Sequence, residues 1–209
     1  MFFFTIESFF AILKQYNPAI WPIQIFAYLL GILALFFCFK KIKCSDKIVL
    51  GILSFFWLWN GIIFCMMYWG PSYKYAYMFG ALCIIQGLLF IRLAIKSKLP
   101  TGIRTNLHFI TGIIFIAYAL VGYNVFGLLL DRVYPVFFSF GLVPCPTIIF
   151  TFGLFLVMSK KFPKYVLIIP FILSIVGFLA VYKGILEDIV LVIAGILGTI
   201  LLLQRHNKK

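Results

Sequence analysis

The sequence predicts an all-α fold, a polytopic bundle of transmembrane helices, and three observations carry that reading. Of 209 residues, 65% are hydrophobic and only 11% charged, against about 25% charged in an ordinary soluble domain. The apolar residues gather in seven stretches of roughly 20 residues, the length that crosses about 30 Å of hydrocarbon at 1.5 Å per residue. The basic residues fall between those stretches on alternating sides. A mean hydropathy of +1.15 extends along the whole length and leaves no room for a soluble domain. One transmembrane domain is therefore expected over 18–204, with residues 1–17 before it and a basic cytoplasmic tail, 205–209, after it.

In the first segment Phe2, Phe3, Ile6, Phe9, Phe10 and Leu13 recur at helical spacing, interrupted by Glu7, Lys14 and Gln15. This is too short to span and lacks the cationic start of a signal peptide. It predicts an amphipathic helix packed on lipid at the outer interface, with the chain turning inward at Asn17-Pro18. Spans follow at Pro18 to Phe39, Ile48 to Trp69, Tyr75 to Ile95, Leu107 to Leu128, Val136 to Met158, Tyr165 to Tyr182 and Ile189 to Gln204. The last two are the shortest, with Lys183, Glu187 and Asp188 between them. Seven spans are expected; six is the alternative, in which those two form a re-entrant hairpin.

Orientation follows from charge, because positively charged loops stay in the cytoplasm. Of 18 lysines and arginines, all but Lys14, Lys74, Arg132 and Lys183 fall on one side, in the first, third and fifth loops and the tail. The other side holds Glu7, Asp131, Glu187 and Asp188, four of the five acids. The N-terminus is therefore expected outside and the C-terminus in the cytoplasm. The net charge of +13 then reads as a topology signal and a contact with anionic lipid. No nucleic-acid partner is needed to explain it.

The segment Phe140 to Gly153 holds the strongest local signal. Pro144 and Pro146 lack amide hydrogens and clash with the preceding turn, so carbonyls near Phe140 and Leu142 lose their intrahelical partners. Inside a bilayer such a break survives only where protein or a wet cavity satisfies it. If Pro146 opens a new half-helix, its amides face outward beside Cys145, which is how transporters build binding sites. The other reading is a packed kink, with Thr147 and Thr151 satisfying the freed carbonyls. Asn60, Gln86, Tyr118, Tyr123 and Asn124 are further polar groups within spans, each ordinarily interhelical glue. Tyr123, Asn124, Cys145, Glu187 and Asp188 all fall in the outer half or at its mouth. The candidate pocket is thus Asn60, Gln86, Tyr118, Tyr123, Pro144, Cys145, Pro146, Thr147, Glu187 and Asp188. Glu187-Asp188 either attracts cations there or simply complements the positive end of the seventh helix.

Several chemistries are not expected. Five cysteines without a CxxC pair support neither a zinc ribbon nor a haem site. The soft ligands Cys65, Met66, Met67, Met78, Cys83 and Cys145 include three consecutive residues that point around a helix, so no metal site is expected. His108 and His206 lie at the cytoplasmic end, no phosphate-cradling glycine loop occurs, and no enzyme or cofactor is anticipated. The last span has no lysine for a retinal Schiff base.

Tyr16-Asn17, Trp21-Pro22-Ile23-Gln24, Trp57-Leu58-Trp59-Asn60-Gly61, Tyr134-Pro135, Pro144-Cys145-Pro146-Thr147 running to Phe150-Thr151, and Gly184 through Glu187-Asp188 together resemble the bacterial multi-pass membrane proteins of domain-of-unknown-function family 6064. The resemblance covers essentially the whole chain, and Pro-Cys-Pro-Thr is its most specific part. It implies an integral protein of the bacterial inner membrane and carries no catalytic residues. The leading expectation is a small permease or solute-binding membrane protein with an outward pocket at the broken fifth helix. The alternative is a scaffold or accessory subunit, motivated by high aromatic content and the lack of a charge pair mid-span.

Overall fold

The computed structural model describes residues 5–40, 44–96, 107–158 and 162–207, the side chains of the last two residues excepted. Among these residues the regular elements are helices. Helix α1 (Ile6–Ala19) is capped by Thr5, whose hydroxyl accepts from the Ser8 amide at 3.2 Å. It meets α2 (Ile23–Phe39) at 87°. There follow α3 (Ser45–Trp69), α4 (Ala76–Lys96), α5 (Leu107–Leu128), α6 (Pro144–Val157) and α7 (Tyr165–Tyr182). A 3-10 turn, Leu186–Asp188, then opens α8 (Ile189–Asn207).

Five helices are long and apolar enough to cross a membrane: α3, α4, α5, α7 and the stretch Leu186–Arg205. The count becomes six if the bent pair α1 and α2 is one span. Their surfaces invert the pattern of a soluble helix. On α2, Gln24, Ala27, Gly31, Ala34 and Cys38 recur three and four apart and face the protein, while Ile25, Phe26, Leu29, Ile32 and Phe36 are exposed. Small residues inward and large apolar ones outward is the arrangement of helices that meet lipid, where close backbone approach replaces the hydrophobic drive. That approach is visible where Gly61 of α3 meets Gly80 of α4. A Cβ on Gly61 would stand 2.7 Å from the Gly80 carbonyl oxygen. Gly112 and Gly153 join α5 to α6 in the same way.

Several expectations change. The apolar face of the first helix does not lie wholly on lipid. Phe9, Ile12, Leu13 and Tyr16 are buried, and the Phe9 ring packs against Phe64 and Trp69 at 6.1 and 5.4 Å. Helical periodicity marks an apolar face without saying what covers it; Phe2 and Phe3 lie outside the described residues. The chain bends after Ala19 rather than at Asn17-Pro18, because Pro18 sits in the last turn, where a missing amide costs one bond only. Arg205 belongs to α8 rather than to a tail. Its guanidinium donates to the carbonyls of Phe155 at 3.1 Å, Leu156 at 2.8 Å and Met158, capping the C-terminus of α6. Of the cations read as cytoplasmic, Lys41, Lys43, Lys98, Arg104, Lys160, Lys161, Lys208 and Lys209 lie outside the described residues.

The fifth expected span, Val136 to Met158, is not one kinked helix. Its helical part is α6 alone, 14 residues or about 21 Å long, buried from Pro146 through Val157. Pro144, rather than Pro146, takes the first helical position, where its missing amide needs no partner. Residues 136–143 before it are irregular yet end in a buried run, Phe138 to Val143. Carbonyls of this segment and of Pro135 before it are taken by side chains. Asn17 Nδ2 donates to Pro135 O and Phe137 O at 2.6 and 2.8 Å. Asn60 Nδ2 donates to Gly141 O at 3.1 Å, Tyr16 OH to Leu142 O at 2.6 Å, and Thr147 OH to Val143 O at 2.8 Å. Buried backbone without helix or sheet must be satisfied in this way.

Candidate functional site

Two helix terminations and one helix start converge at the end of the bundle where α7 passes into α8. Helix α5 stops in a Schellman motif: Asp131 takes φ 59°, its amide donates to Leu128 O, and the Arg132 amide donates to Gly127 O. Helix α7 stops in the same way, with Gly184 at φ 100°, its amide on Val181 O and the Ile185 amide on Ala180 O. The first motif turns Arg132 back into the protein. The second turns Glu187 and Asp188 inward, and both are fully buried.

Arg132 Nη1 and Glu187 Oε2 form an ion pair at 2.5 Å, while Arg132 Nη2 donates to Gly184 O at 2.6 Å. The other carboxylate oxygen of Glu187, Oε1, has no partner among the described residues and faces Gly127, where a Cβ would stand 3.2 Å from it. Tyr118 OH donates to Glu187 O at 3.0 Å. Asp188 accepts from Tyr123 OH at 2.5 Å and from the Cys145 thiol at 3.3 Å.

A cavity of about 110 Å³ opens beside this cluster. Cys145, partly exposed, and Pro144 line it, with Asp188 behind the thiol; Phe9, Phe64, Trp69, Phe79 and Phe138 supply aromatic walls. Trp69 stacks on Phe79 at 5.5 Å between ring centroids. Cys83, Tyr73 and the half-buried Lys183 also face it. In the loop between α3 and α4, burial and then the neighbouring Tyr75 push the Tyr73 phenol above its ordinary range, so it stays a neutral hydroxyl. No group of three or more His, Cys, Asp or Glu side chains that could hold a metal ion occurs among the described residues.

The model of a family of unknown function, DUF6064, matches residues 6–209. The chain belongs to the DUF6064 family. No curated protein and no solved structure matches it. The residues that carried the DUF6064 resemblance bond to one another across the fold. Gln24 Nε2 donates to Asn17 Oδ1 and to Ser139 Oγ at 3.2 and 3.1 Å, Trp57 Nε1 to Thr151 Oγ1 at 3.0 Å, and Trp59 Nε1 to Tyr16 OH at 2.8 Å. The DUF6064 motifs thus hold the irregular segment and the start of α6, and with it Cys145.

Of the residues singled out in the sequence, Tyr118, Tyr123, Cys145, Glu187 and Asp188 come together, with Pro144 in the cavity wall. Asn60 and Thr147 bond to each other at 3.1 Å and support the segment above α6 without lining the cavity. Pro146 is buried in the first turn of α6. Gln86 lies apart, donating to Val166 O at the opposite end of α7 at 3.0 Å. Asn124 donates to Tyr28 OH at 3.1 Å. Arg132 was missed; its signal was a basic residue on an otherwise balanced side, close in sequence to the end of a span.

Proposed function

We propose that this chain is an integral protein of the bacterial inner membrane with seven spans, N-terminus outside and C-terminus in the cytoplasm, where its basic loops meet anionic lipid. On this reading it binds a small solute in an outward-facing pocket at the start of α6, as a permease or solute-binding protein and without covalent chemistry. The cavity beside Cys145 and Asp188 carries the reading. A packed structural kink needs no cavity, whereas an apolar pocket with a few convergent polar groups is the ordinary form of a small-molecule site. Irregular backbone ending in a short central helix is also how carriers expose polar groups at depth.

The scaffold reading rests on the lack of a charge pair mid-span, and Arg132 and Glu187 lie beyond the ends of α5 and α7. Their pair is nevertheless buried, which supports binding, because ionisable groups held in apolar surroundings ordinarily serve a ligand or ion path. Against catalysis stands the position of His108, whose Nε2 lies 3.1 Å from Leu201 O, far along α8 from Asp188.

The test is labelling of a variant that keeps only Cys145, in intact cells, with a membrane-impermeant maleimide. Rapid labelling from outside, slowed by a bound solute, is the expected result. Labelling that appears only on denaturation would reduce the site to a packed kink.

A further inference from the structure

Asp188 is wholly buried, and its partners are two neutral donors, the Tyr123 hydroxyl and the Cys145 thiol. Glu187 beside it has Arg132, and among the described residues Asp188 forms no ion pair of its own. A buried carboxylate without a cation is costly until a proton or a positive ligand neutralises it. Its two donors are unequal. A phenol donates strongly, whereas a thiol is the weak donor among side chains, and Cys145 alone of the two is partly exposed and faces the cavity. Rotation about the Cα–Cβ bond of Cys145 would lift Sγ from Oδ2 and open the carboxylate to the cavity.

The geometry points to a small primary ammonium with an apolar body as the ligand class of this pocket, an inference that rests on the binding reading above. The ammonium displaces the Cys145 thiol from Asp188 Oδ2, exchanging a weak neutral bond for a charge-assisted one. The body lies among the rings of Phe9, Phe64, Trp69 and Phe79, which also attract a cation. A volume of about 110 Å³ is smaller than the roughly 150 Å³ cavity that holds benzene, so the body is of butyl size. Behind Asp188, Arg132 and Glu187 compensate each other and Tyr118 is bonded to a carbonyl. Lys183, in the same wall, opposes a second cation and weakens its binding.

The test is calorimetric titration of the detergent-solubilised full chain with butylammonium, 1-butanol and butyrate at neutral pH. Butylammonium is expected to bind at least about ten-fold more tightly than the other two. Asp188→Asn should remove that preference, Cys145→Ala should bind as well or better, and Lys183→Gln should bind more tightly. The three-probe comparison needs no variant, so it decides even if Asp188→Asn does not fold. Equal binding of 1-butanol, or indifference to Asp188→Asn, overturns the ammonium class and leaves the pocket standing. Preference for butyrate, lost in Lys183→Gln, overturns it in favour of an anion. Failure of butylammonium to bind also overturns it, and Cys145 labelling then tells whether the pocket reading falls too.

Discussion

At the scale of single residues, the buried ion pair between Arg132 and Glu187 gives the sharpest energetic expectation. Removing one member of such a pair leaves the other charge buried without compensation, a cost of about 3–5 kcal/mol, whereas removing both costs far less. Arg132→Met and Glu187→Gln should each lower the thermal midpoint in detergent markedly, and the double variant should regain most of the loss. Recovery stays incomplete, because Gly184 O loses its Arg132 donor as well. Single losses that simply add in the double variant would show that the pair contributes nothing as a pair. Tyr123, Cys145, Glu187 and Asp188 were legible in the sequence because each is a polar or reactive group in an apolar chain. Arg132 was not, since a Schellman turn carries it from an apparent loop into the interior. Nor was the network of Asn17, Gln24 and Ser139, in which Ser139 stands more than 100 positions from the other two and meets them only through the fold.

At the scale of elements, the contact between α3 and α4 separates packing from propensity within one helix. Gly61 lies against the backbone of α4, where a Cβ would meet the Gly80 oxygen at 2.7 Å and the Ile84 amide nitrogen at 3.0 Å. Gly51, two to three turns earlier, has nothing within 4 Å. Gly61→Ala should therefore destabilise by about 1–3 kcal/mol through overpacking, while Gly51→Ala should be neutral or stabilise by up to about 1 kcal/mol through helix propensity. Thermal unfolding of the two variants side by side checks this, and equal effects would mean that the helices do not approach as closely as described. The apolar stretches themselves were legible, because length and hydropathy alone define them. The exception is Val136 to Met158, where apolar content continued through Phe137, Phe138, Phe140, Leu142 and Val143 although the backbone there is irregular. Hydropathy reports burial, not conformation, and the two prolines mark where the helix starts without revealing that no helix precedes it.

At the scale of the whole molecule, the number of crossings and the side on which the cavity opens are one question. The first loop, the third, the fifth and the C-terminal end carry most of the 18 basic residues, and retention of such segments in the cytoplasm would place the junction of α7 and α8 outside, as proposed. That junction holds Gly184, Glu187 and Asp188, so on the proposed orientation the pocket would face outward. Alternation holds only if residues 136–158 cross once, as the irregular segment followed by α6, although α6 alone is shorter than the hydrocarbon core. An odd number of crossings puts the two termini on opposite sides and an even number on the same side. Epitope tags at both ends, probed in intact and permeabilised spheroplasts, decide between them. The N-terminal tag should react in intact spheroplasts and the C-terminal tag only after permeabilisation. If both tags require permeabilisation, the number of crossings is even and one of the seven is missing; so long as α8 still runs to a cytoplasmic C-terminus, the junction of α7 and α8 and the Asp188 cavity stay outside.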